Sequence, residues 1–233
     1  RVRATRKRGL REDPEESLLS YTQHMYQRVS SWVRDLCADG DIESQPGPRF
    51  ITKNLNSIQG SGKLYHTFVA IRKESNRDQI TAVFLQDHRL LASRSVEIKR
   101  VAKNLNLMVN TAYARKHADG KGYGGTMIIV PYESIQLEKD ETVHEAVERI
   151  MKTKQSSVKG NIVSIRMTIQ GISRKLVSAY APAKPTSEAT SKRSYFFNVK
   201  LRNMISEKSI VGMDANCVPD PRIDLKRDAT SPY

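Results

Sequence analysis

Four short polar motifs follow four apolar, strand-like runs, and this placement constrains the fold more than any other feature of the sequence. In chain order the motifs are Asn54-Leu55-Asn56, Gln86-Asp87-His88, Tyr180-Ala181-Pro182 and Gly212-Met213-Asp214-Ala215-Asn216. A short run of Val, Ile, Leu or Phe before each motif is typical of a buried strand. Polar groups at strand ends let an α/β scaffold bring distant carboxylates and amides together. The sequence therefore predicts an α/β fold with one polar site at the ends of its strands.

The charge of the chain favours a polyanionic partner. The 233 residues include 39 Lys or Arg and 25 Asp or Glu, a net charge of +14. Residues 1–48 carry eight of each sign, so the whole excess lies in residues 49–233. A basic domain attracts nucleic acid because each neutralised phosphate releases counterions. A basic surface that only confers solubility is the alternative that charge leaves open.

Cysteine content and hydropathy indicate the compartment. The two cysteines, Cys37 and Cys217, lie in different segments, and no Cys/His spacing typical of a metal site is present. We expect a reducing, intracellular compartment and no membrane partner, since no apolar run is long enough to span a bilayer. The basic cluster from Arg1 to Arg11 favours either nuclear import or a solvated tail. Because the chain begins at Arg1 rather than Met, we expect it to be a piece of a longer product.

The pattern of apolar residues changes near Pro48, which predicts a boundary there. A helical apolar stripe runs from Leu18 to Leu36 and ends before Pro46-Gly47-Pro48, so residues 1–48 are predicted to form an N-terminal segment. Strands and helices alternate from residue 49 to 233. The predicted strands cover residues 50–54, 80–85, 107–112, 124–131, 161–169, 173–180 and 209–213, and the helices lie near residues 65–71, 96–104, 143–151 and 191–205. A hairpin turning at Gln170-Gly171 among strand–helix units predicts a mixed sheet packed on helices. The first of these helices is expected to turn Tyr65, Phe68, Val69 and Ile71 inward.

The residue types in the four motifs suit metal-dependent phosphate chemistry. Asn54 and Asn56, like Asp214 and Asn216, are two apart, and on an extended chain such residues project to the same face. The carboxylate of Asp87 is a hard oxygen ligand of the kind that Mg²⁺ prefers. A Tyr such as Tyr180 can donate its phenol proton to a phosphate oxygen. Each motif alone is equally typical of a turn cap or a strand end, and the ordered set of four is what favours a site.

From Phe50 to Asp224 the sequence resembles the endonuclease/exonuclease/phosphatase superfamily, and within it the apurinic/apyrimidinic-type endonucleases of non-LTR (LINE-type) retrotransposons. The likeness is carried by Thr52-Lys53-Asn54-Leu55-Asn56-Ser57, Phe84-Leu85-Gln86-Asp87-His88, Tyr123-Gly124-Gly125-Thr126, Ser178-Ala179-Tyr180-Ala181-Pro182 and the Gly-x-Asp-x-Asn motif at 212–216. This resemblance implies a four-layer, DNase I-like α/β sandwich of which residues 49–233 are a partial domain without its C-terminal half.

The same resemblance implies Mg²⁺-dependent hydrolysis of a phosphodiester, with Mn²⁺ as an alternative ion and DNA as the partner. It makes Asp87 the metal ligand, supported by Asn54. Tyr180 and Asn216 would orient or polarise the phosphate, and Asp214 would position the attacking water or stabilise the leaving group.

Two departures from the family pattern bear on activity. Asp87 stands where the family usually has Glu, which draws the carboxylate back by one methylene. The last histidine is His144, so the late Asp and the terminal Ser-Asp-His motif that supplies the family's catalytic histidine have no counterpart. We expect the chain to be inactive by itself.

Residues 41–48, Asp-Ile-Glu-Ser-Gln-Pro-Gly-Pro, resemble a ribosome-skipping (2A-type) peptide, whose usual form has Asn where Gln45 stands. The alternative is an ordinary linker between a helix and a domain. Such peptides occur in some retrotransposons, so this resemblance and that of the following domain support each other.

Three functions remain open from the sequence. The first is the front part of a DNA-nicking retrotransposon endonuclease located in the nucleus. The second is another phosphoesterase of the same superfamily, such as a phosphatase or an RNA-directed nuclease. The third is a non-catalytic nucleic-acid-binding remnant, which Asp87 in place of Glu favours.

Overall fold

The computed structural model describes residues 47–60, 62–157, 160–182, 192 and 195–216. The predicted helix between Leu18 and Leu36 and most of the 41–48 motif lie outside the described residues, and so does the stretch from 217 to 233. The boundary predicted at residue 48 stays a prediction.

Strands and helices alternate through the described part of the chain, as the periodicity predicted. The strands are β1 (Arg49–Asn54), β2 (Ile80–Gln86), β3 (Leu107–Ala112), β4 (Arg115–Lys116), β5 (Gly122–Tyr123), β6 (Thr126–Pro131), β7 (Gln155–Ser156), β8 (Ile162–Ile169), β9 (Ile172–Tyr180) and β10 (Ser209–Asp214). The helices are α1 (Lys63–Asp78), α2 (Ser95–Asn104) and α3 (Val143–Lys152), with 3₁₀ turns at Ala92–Arg94 and Tyr132–Ser134 and a π-helix at Phe196–Leu201.

The first sheet has the strand order β1-β2-β6-β3. Strand β1 runs parallel to β2, and β6 runs antiparallel to both of its neighbours. Every residue of β2 and β6 is buried, which explains why these two strands are continuous apolar runs rather than alternating ones. Parallel pairing places the C-terminal ends of β1 and β2 side by side.

Helices α1 and α2 cover the outer face of this sheet. Phe68 and Ile71 of α1 and Ile98 of α2 are buried in one cluster with Val83 and Leu85 of β2. A fully buried side chain of this kind contributes about 1.5–3 kcal/mol to folding. Tyr65 was expected to face inward, but its side chain is 52% exposed. The stripe of α1 that packs is instead defined by Leu64, Thr67, Phe68 and Ile71.

The second sheet has the order β10-β9-β8-β7. Strands β8 and β9 form the predicted hairpin, and its two-residue turn has φ of 50° at Gln170 and 75° at Gly171. Positive φ at both positions is the geometry that matches the twist of hairpin strands. Strand β10 pairs with β9 in parallel, so the ends of these two strands also lie side by side.

The two sheets face each other across one apolar core. Phe84 and Ile128 of the first sheet are buried in the same cluster as Ile165 and Leu176 of the second. The π-helix covers the other face of the second sheet, where Phe196 packs with Ile162 and Val177. The described residues thus form four layers in the order helix, sheet, sheet, helix, and the predicted four-layer α/β sandwich is confirmed.

Helix α3 closes one side of the inter-sheet core. Ala146 and Ile150 are buried in that core, as the predicted stripe requires, and Val147 and Met151 are partly buried against it. The helix begins at a capping box, in which the hydroxyl of Thr142 accepts from the backbone N–H of Glu145 and the Glu145 carboxylate accepts from the backbone N–H of Thr142. Over the described residues, no helix has the length and apolar character needed to cross a membrane.

Candidate active site at the strand ends

The four sequence motifs meet where β1, β2, β9 and β10 end. Asn54 is the last residue of β1 and Asp214 the last of β10, and the Asn54 side-chain amide donates a hydrogen bond of 2.5 Å to Oδ2 of Asp214. These two residues are 160 positions apart in sequence and belong to different sheets. The ends of both parallel strand pairs therefore open onto the same region.

The chain makes a turn of the same geometry directly after β1 and directly after β10. Oδ1 of Asn54 accepts from the backbone N–H of Asn56 (2.9 Å), and Oδ1 of Asp214 accepts from the backbone N–H of Asn216 (2.8 Å). Asn56 and Asn216 have φ of 45° and 46°, a left-handed conformation that Asn tolerates. The expectation that each pair projects together from an extended chain was therefore wrong, because the chain turns directly after each strand.

Asn216 and Tyr180 lie at the end of the second sheet. The side-chain amide of Asn216 donates to the carbonyl oxygen of Ala181 (2.6 Å), the residue after Tyr180. Burial raises the pKa of the Tyr180 phenol, a hydrogen bond with Asn216 opposes this shift, and the charges of Asp87 and Asp214 reinforce it. Because its pKa lies above the usual value, Tyr180 keeps its proton at neutral pH and can act as a hydrogen-bond donor.

Asp87 follows β2 in a left-handed conformation, with φ of 49°. The residue is only 4% exposed. Its carboxylate accepts from the backbone N–H of Gly124 (3.1 Å) and from Nε and Nη2 of Arg89, the shortest distance being 2.8 Å. Gly124 also borders Tyr180, since a Cβ at Gly124 would lie 3.7 Å from the tyrosine ring. The glycine motif at 124–125 thus lies between Asp87 and Tyr180.

Arg89 is the residue of this site that sequence reasoning missed. In addition to Asp87, its Nη2 donates to Oδ1 of Asn56 (2.9 Å), and its guanidinium lies 5.9 Å from the centre of the Tyr123 ring. The hydrogen bonds to Asp87 raise the pKa of Arg89. The sequence does place opposite charges at Asp87 and Arg89, two residues apart after a strand. Their contact nevertheless depends on left-handed φ at both residues, which the sequence does not show.

His88 takes no part in the surface of the site. Its ring is fully buried, Nδ1 accepts from the backbone N–H of Leu90 (2.9 Å), and a Cβ on Gly125 would lie 2.5 Å from Cε1 of the ring. Burial lowers its pKa to about 4, against the opposing effect of backbone carbonyls and of Asp87. His88 is therefore a neutral packing residue at pH 7 and not a base for the site.

A buried polar network fixes the two sheets relative to each other just beneath the site. Nε2 of Gln86 donates to Oγ of Ser178 (3.2 Å) and to the carbonyl oxygen of Gly212 (3.2 Å), and Oγ of Ser178 donates to the carbonyl oxygen of Leu85 (3.3 Å). Gln86 and Ser178 are both almost fully buried. Buried networks of this kind hold one arrangement because an unpaired polar group in the interior is costly.

The donor atoms are of the type that Mg²⁺ prefers, but they are already engaged. Asn54 uses its amide oxygen on Asn56 and its amide nitrogen on Asp214, while the Asp87 carboxylate is paired with Arg89. Among the described residues, no group of three or more His, Cys, Asp and Glu side chains could hold a metal ion. A metal ion on Asp87 would therefore have to take the place of the guanidinium.

A cavity of about 350 Å³ adjoins the site on the side of Tyr180 and Gly124. Its walls combine basic and aromatic side chains, including Arg115, Tyr123, Lys192, Tyr195 and Lys200. Nζ of Lys200 lies 5.6 Å from the centre of the Tyr195 ring. Cations and exposed aromatic rings in one cavity suit the phosphates and bases of a nucleic-acid strand.

Comparison with known proteins yields structural neighbours only. No family model matches the sequence, and no curated protein matches it. The endonuclease domain of TRAS1, a telomere-specific non-LTR retrotransposon, aligns at 17% identity over 75% of this chain and 63% of its own, with a TM-score of 0.41. An AP endonuclease from Archaeoglobus fulgidus aligns at 15% identity over 74% and 58%, with a TM-score of 0.45.

The human Nocturnin catalytic domain aligns at 15% identity over 75% of this chain and 65% of its own, with a TM-score of 0.45. This chain spans less than two thirds of the length of each of these three structures. At these identities and TM-scores the likeness assigns no activity to this chain.

Proposed function

We propose that the strand ends form a site for a nucleic-acid phosphodiester, and that the chain is part of a Mg²⁺-dependent, DNA-nicking endonuclease of a LINE-type retrotransposon. The observation that carries the proposal is the hydrogen bond between Asn54 and Asp214, which joins the ends of two sheets. It joins the first and the fourth motif, while Asp87 and Tyr180 of the other two motifs both lie beside Gly124. The proposed setting is target-site nicking before reverse transcription, in the nucleus.

Each side chain has a proposed role that its surroundings support. The protonated phenol of Tyr180 donates to a phosphate oxygen, and Asn216 orients the same group. Asp214, held by Asn54, positions the attacking water or stabilises the leaving oxygen. Asp87 and Asn54 are the proposed ligands of Mg²⁺, with Mn²⁺ as a substitute ion, and this ion supplies charge neutralisation at the phosphate when bound.

The cavity beside Tyr180 supports a polymeric substrate over a small phosphate ester. A small ester needs cations only at the reacting phosphate. In this chain three basic residues line the cavity beside Tyr180, namely Arg115, Lys192 and Lys200. The net charge of +14 lies outside residues 1–48, in the part that contains the sheets. Neutralising several phosphates at once makes binding steeply dependent on salt.

A non-catalytic nucleic-acid-binding function is the second candidate, and two observations favour it. The guanidinium of Arg89 already neutralises Asp87. His88 is buried and weakly basic, so it cannot activate a water molecule at the site. The resemblance to the endonuclease family implies a catalytic histidine that the site, as described, does not contain.

Plasmid nicking with an added base separates the two candidates. The 233-residue chain is incubated with supercoiled plasmid in Mg²⁺, with and without imidazole, which can stand in for a histidine base. The endonuclease proposal predicts nicking that needs both Mg²⁺ and imidazole and that Asp214→Ala abolishes. Salt-sensitive DNA binding without nicking under any of these conditions would establish the binding function instead. Asp140→Ala, a change at an exposed carboxylate in a loop, is the matched control.

A further inference from the structure

Arg89 is held on the Asp87 carboxylate by the backbone as well as by its own charge. Both residues have left-handed φ, 49° at Asp87 and 59° at Arg89, and this double turn brings the guanidinium back over the carboxylate. The Arg89 backbone N–H donates to the carbonyl oxygen of Gly124 (2.9 Å), and the Gly124 N–H donates to Oδ1 of Asp87 (3.1 Å). The ion pair is thus fixed by a closed set of hydrogen bonds.

The guanidinium also contacts the turn that follows β1. Its Nη2 atom donates to Asp87 on one side (2.8 Å) and to Oδ1 of Asn56 on the other (2.9 Å). Nε adds contacts of 3.2 and 3.1 Å to the two carboxylate oxygens of Asp87. An arginine that donates from two nitrogens of its planar guanidinium to one carboxylate forms the strong, bidentate type of ion pair.

Both oxygens of the second carboxylate of the site, that of Asp214, already accept hydrogen bonds. Oδ1 of Asp214 accepts from Asn216 and Oδ2 accepts from Asn54. Mg²⁺ needs carboxylate oxygens at about 2.0–2.1 Å and near-octahedral geometry, which a guanidinium on the same oxygens prevents. Two cations cannot occupy the same lone pairs of Asp87.

We infer that Arg89 is a built-in competitor for the divalent cation: its guanidinium occupies the cation position at Asp87, and metal binds only after that side chain turns away. This inference rests on the proposed metal site. It explains why the carboxylate of Asp87, a ligand of the type that Mg²⁺ prefers, is paired with a guanidinium. It also makes residue 89 the position that sets the metal affinity of the chain.

The test measures metal binding without turnover. Mn²⁺ is titrated into the 233-residue chain and free Mn²⁺ is followed by electron paramagnetic resonance, with Mg²⁺ competition to confirm that the two ions share the site. Arg89→Gln keeps a neutral donor near Asp87 but removes the charge. We expect Arg89→Gln to bind Mn²⁺ about 10- to 100-fold more tightly than wild type, since displacing a hydrogen-bonded charge carries a penalty of that order.

Two further variants make the result specific. Arg100→Gln removes the same charge from the exposed surface of α2, which contributes no residue to the site, and is expected to leave the Mn²⁺ affinity unchanged. Adding Asp87→Asn to Arg89→Gln is expected to cancel the gain, because it removes the carboxylate charge on which the gain depends. Circular dichroism of each variant checks that it is folded, and Arg89→Asn, which is also uncharged and tolerates the left-handed φ of 59° at this position, replaces Arg89→Gln if that variant is unfolded.

Equal Mn²⁺ affinities for wild type and the Arg89 variant, or weaker binding by the variant, would overturn the inference. The Mn²⁺ titration is independent of the nicking assay. If the Arg89 variant binds Mn²⁺ tightly but plasmid is never nicked, the competitor role stands and the endonuclease proposal fails. If plasmid is nicked but the affinities are equal, the endonuclease proposal stands and the competitor role fails.

Discussion

Gly212 allows β10 to pack closely on β2, and this spacing sets the distance between Asn54 of the first sheet and Asp214 of the second. The variant Gly212→Ala tests this. A Cβ at residue 212 would lie 2.3 Å from Cγ and 2.4 Å from Cβ of Phe84 in the facing sheet. Because the position of Cβ in Phe84 is fixed by the backbone, no change of rotamer relieves the contact. To reach an ordinary carbon–carbon separation, β10 must retreat from β2 by about 1 Å.

This displacement has two measurable consequences. Overpacking of a tight core costs about 1–3 kcal/mol of unfolding free energy. Asp214 lies two residues further along β10, so its 2.5 Å hydrogen bond from Asn54 would also lengthen. Sites of this kind tolerate only about 0.5 Å of displacement. We therefore expect urea denaturation to show the loss of stability, and plasmid nicking in Mg²⁺ and imidazole to be lost as well.

Gly171→Ala is the matched control. It adds the same methyl group in the hairpin turn, where φ is 75° and nothing lies within 4 Å. That variant bears only the cost of left-handed φ, about 1–2 kcal/mol, and leaves the site in place. A Gly212→Ala protein with wild-type stability and wild-type nicking would refute the close packing of β10 on Phe84.

Three further predictions follow from the site and its supports. Tyr180→Phe removes the phenol donor and should lower nicking by about 10²–10³-fold, with the midpoint of urea denaturation and the DNA affinity unchanged. Because the folded-state pKa of His88, about 4, lies below the usual 6.5, the unfolded state binds its proton first. Stability should fall as pH decreases from about 6.5 to 4, by a total on the order of 3 kcal/mol, and this slope should be absent in His88→Asn; an unchanged slope in that variant would assign the pH dependence to other groups. Thr142→Ala breaks the capping box of α3 and should cost about 1 kcal/mol without any effect on DNA binding, measured by fluorescence anisotropy.

The strands were predictable because each is a local apolar run. Strand β3 was predicted with the same bounds that the structure has, and the turn at Gln170-Gly171 was predicted from its residues alone. The short strands β4, β5 and β7 have two residues each, too few for periodicity to reveal. Strand β6 begins at Thr126 rather than residue 124, because Gly124 and Gly125 have φ of 71° and 91°, outside the extended region.

The site was predictable as a set of strand ends but not as a set of contacts. Nothing in the local sequence shows that Asn54 meets Asp214, since that contact depends on how two sheets pack. The role of Arg89 depends on a left-handed backbone at both Asp87 and Arg89, a conformation that residues other than glycine seldom adopt. Sequence reasoning therefore singled out the carboxylate of Asp87 and missed the guanidinium that pairs with it.

Nuclear magnetic resonance titration with a short DNA duplex tests most directly whether the strand ends bind nucleic acid. The backbone amides of Asn56, Gly124, Ala181 and Asn216 all hydrogen-bond to residues at the strand ends. Their ¹H–¹⁵N signals are followed in the labelled 233-residue chain. We predict that the largest, salt-sensitive shifts fall on these amides and on the cavity beside Tyr180. Shifts concentrated instead around Gln79, Thr81 and Ile135, which line a larger cavity of about 800 Å³, would contradict the account.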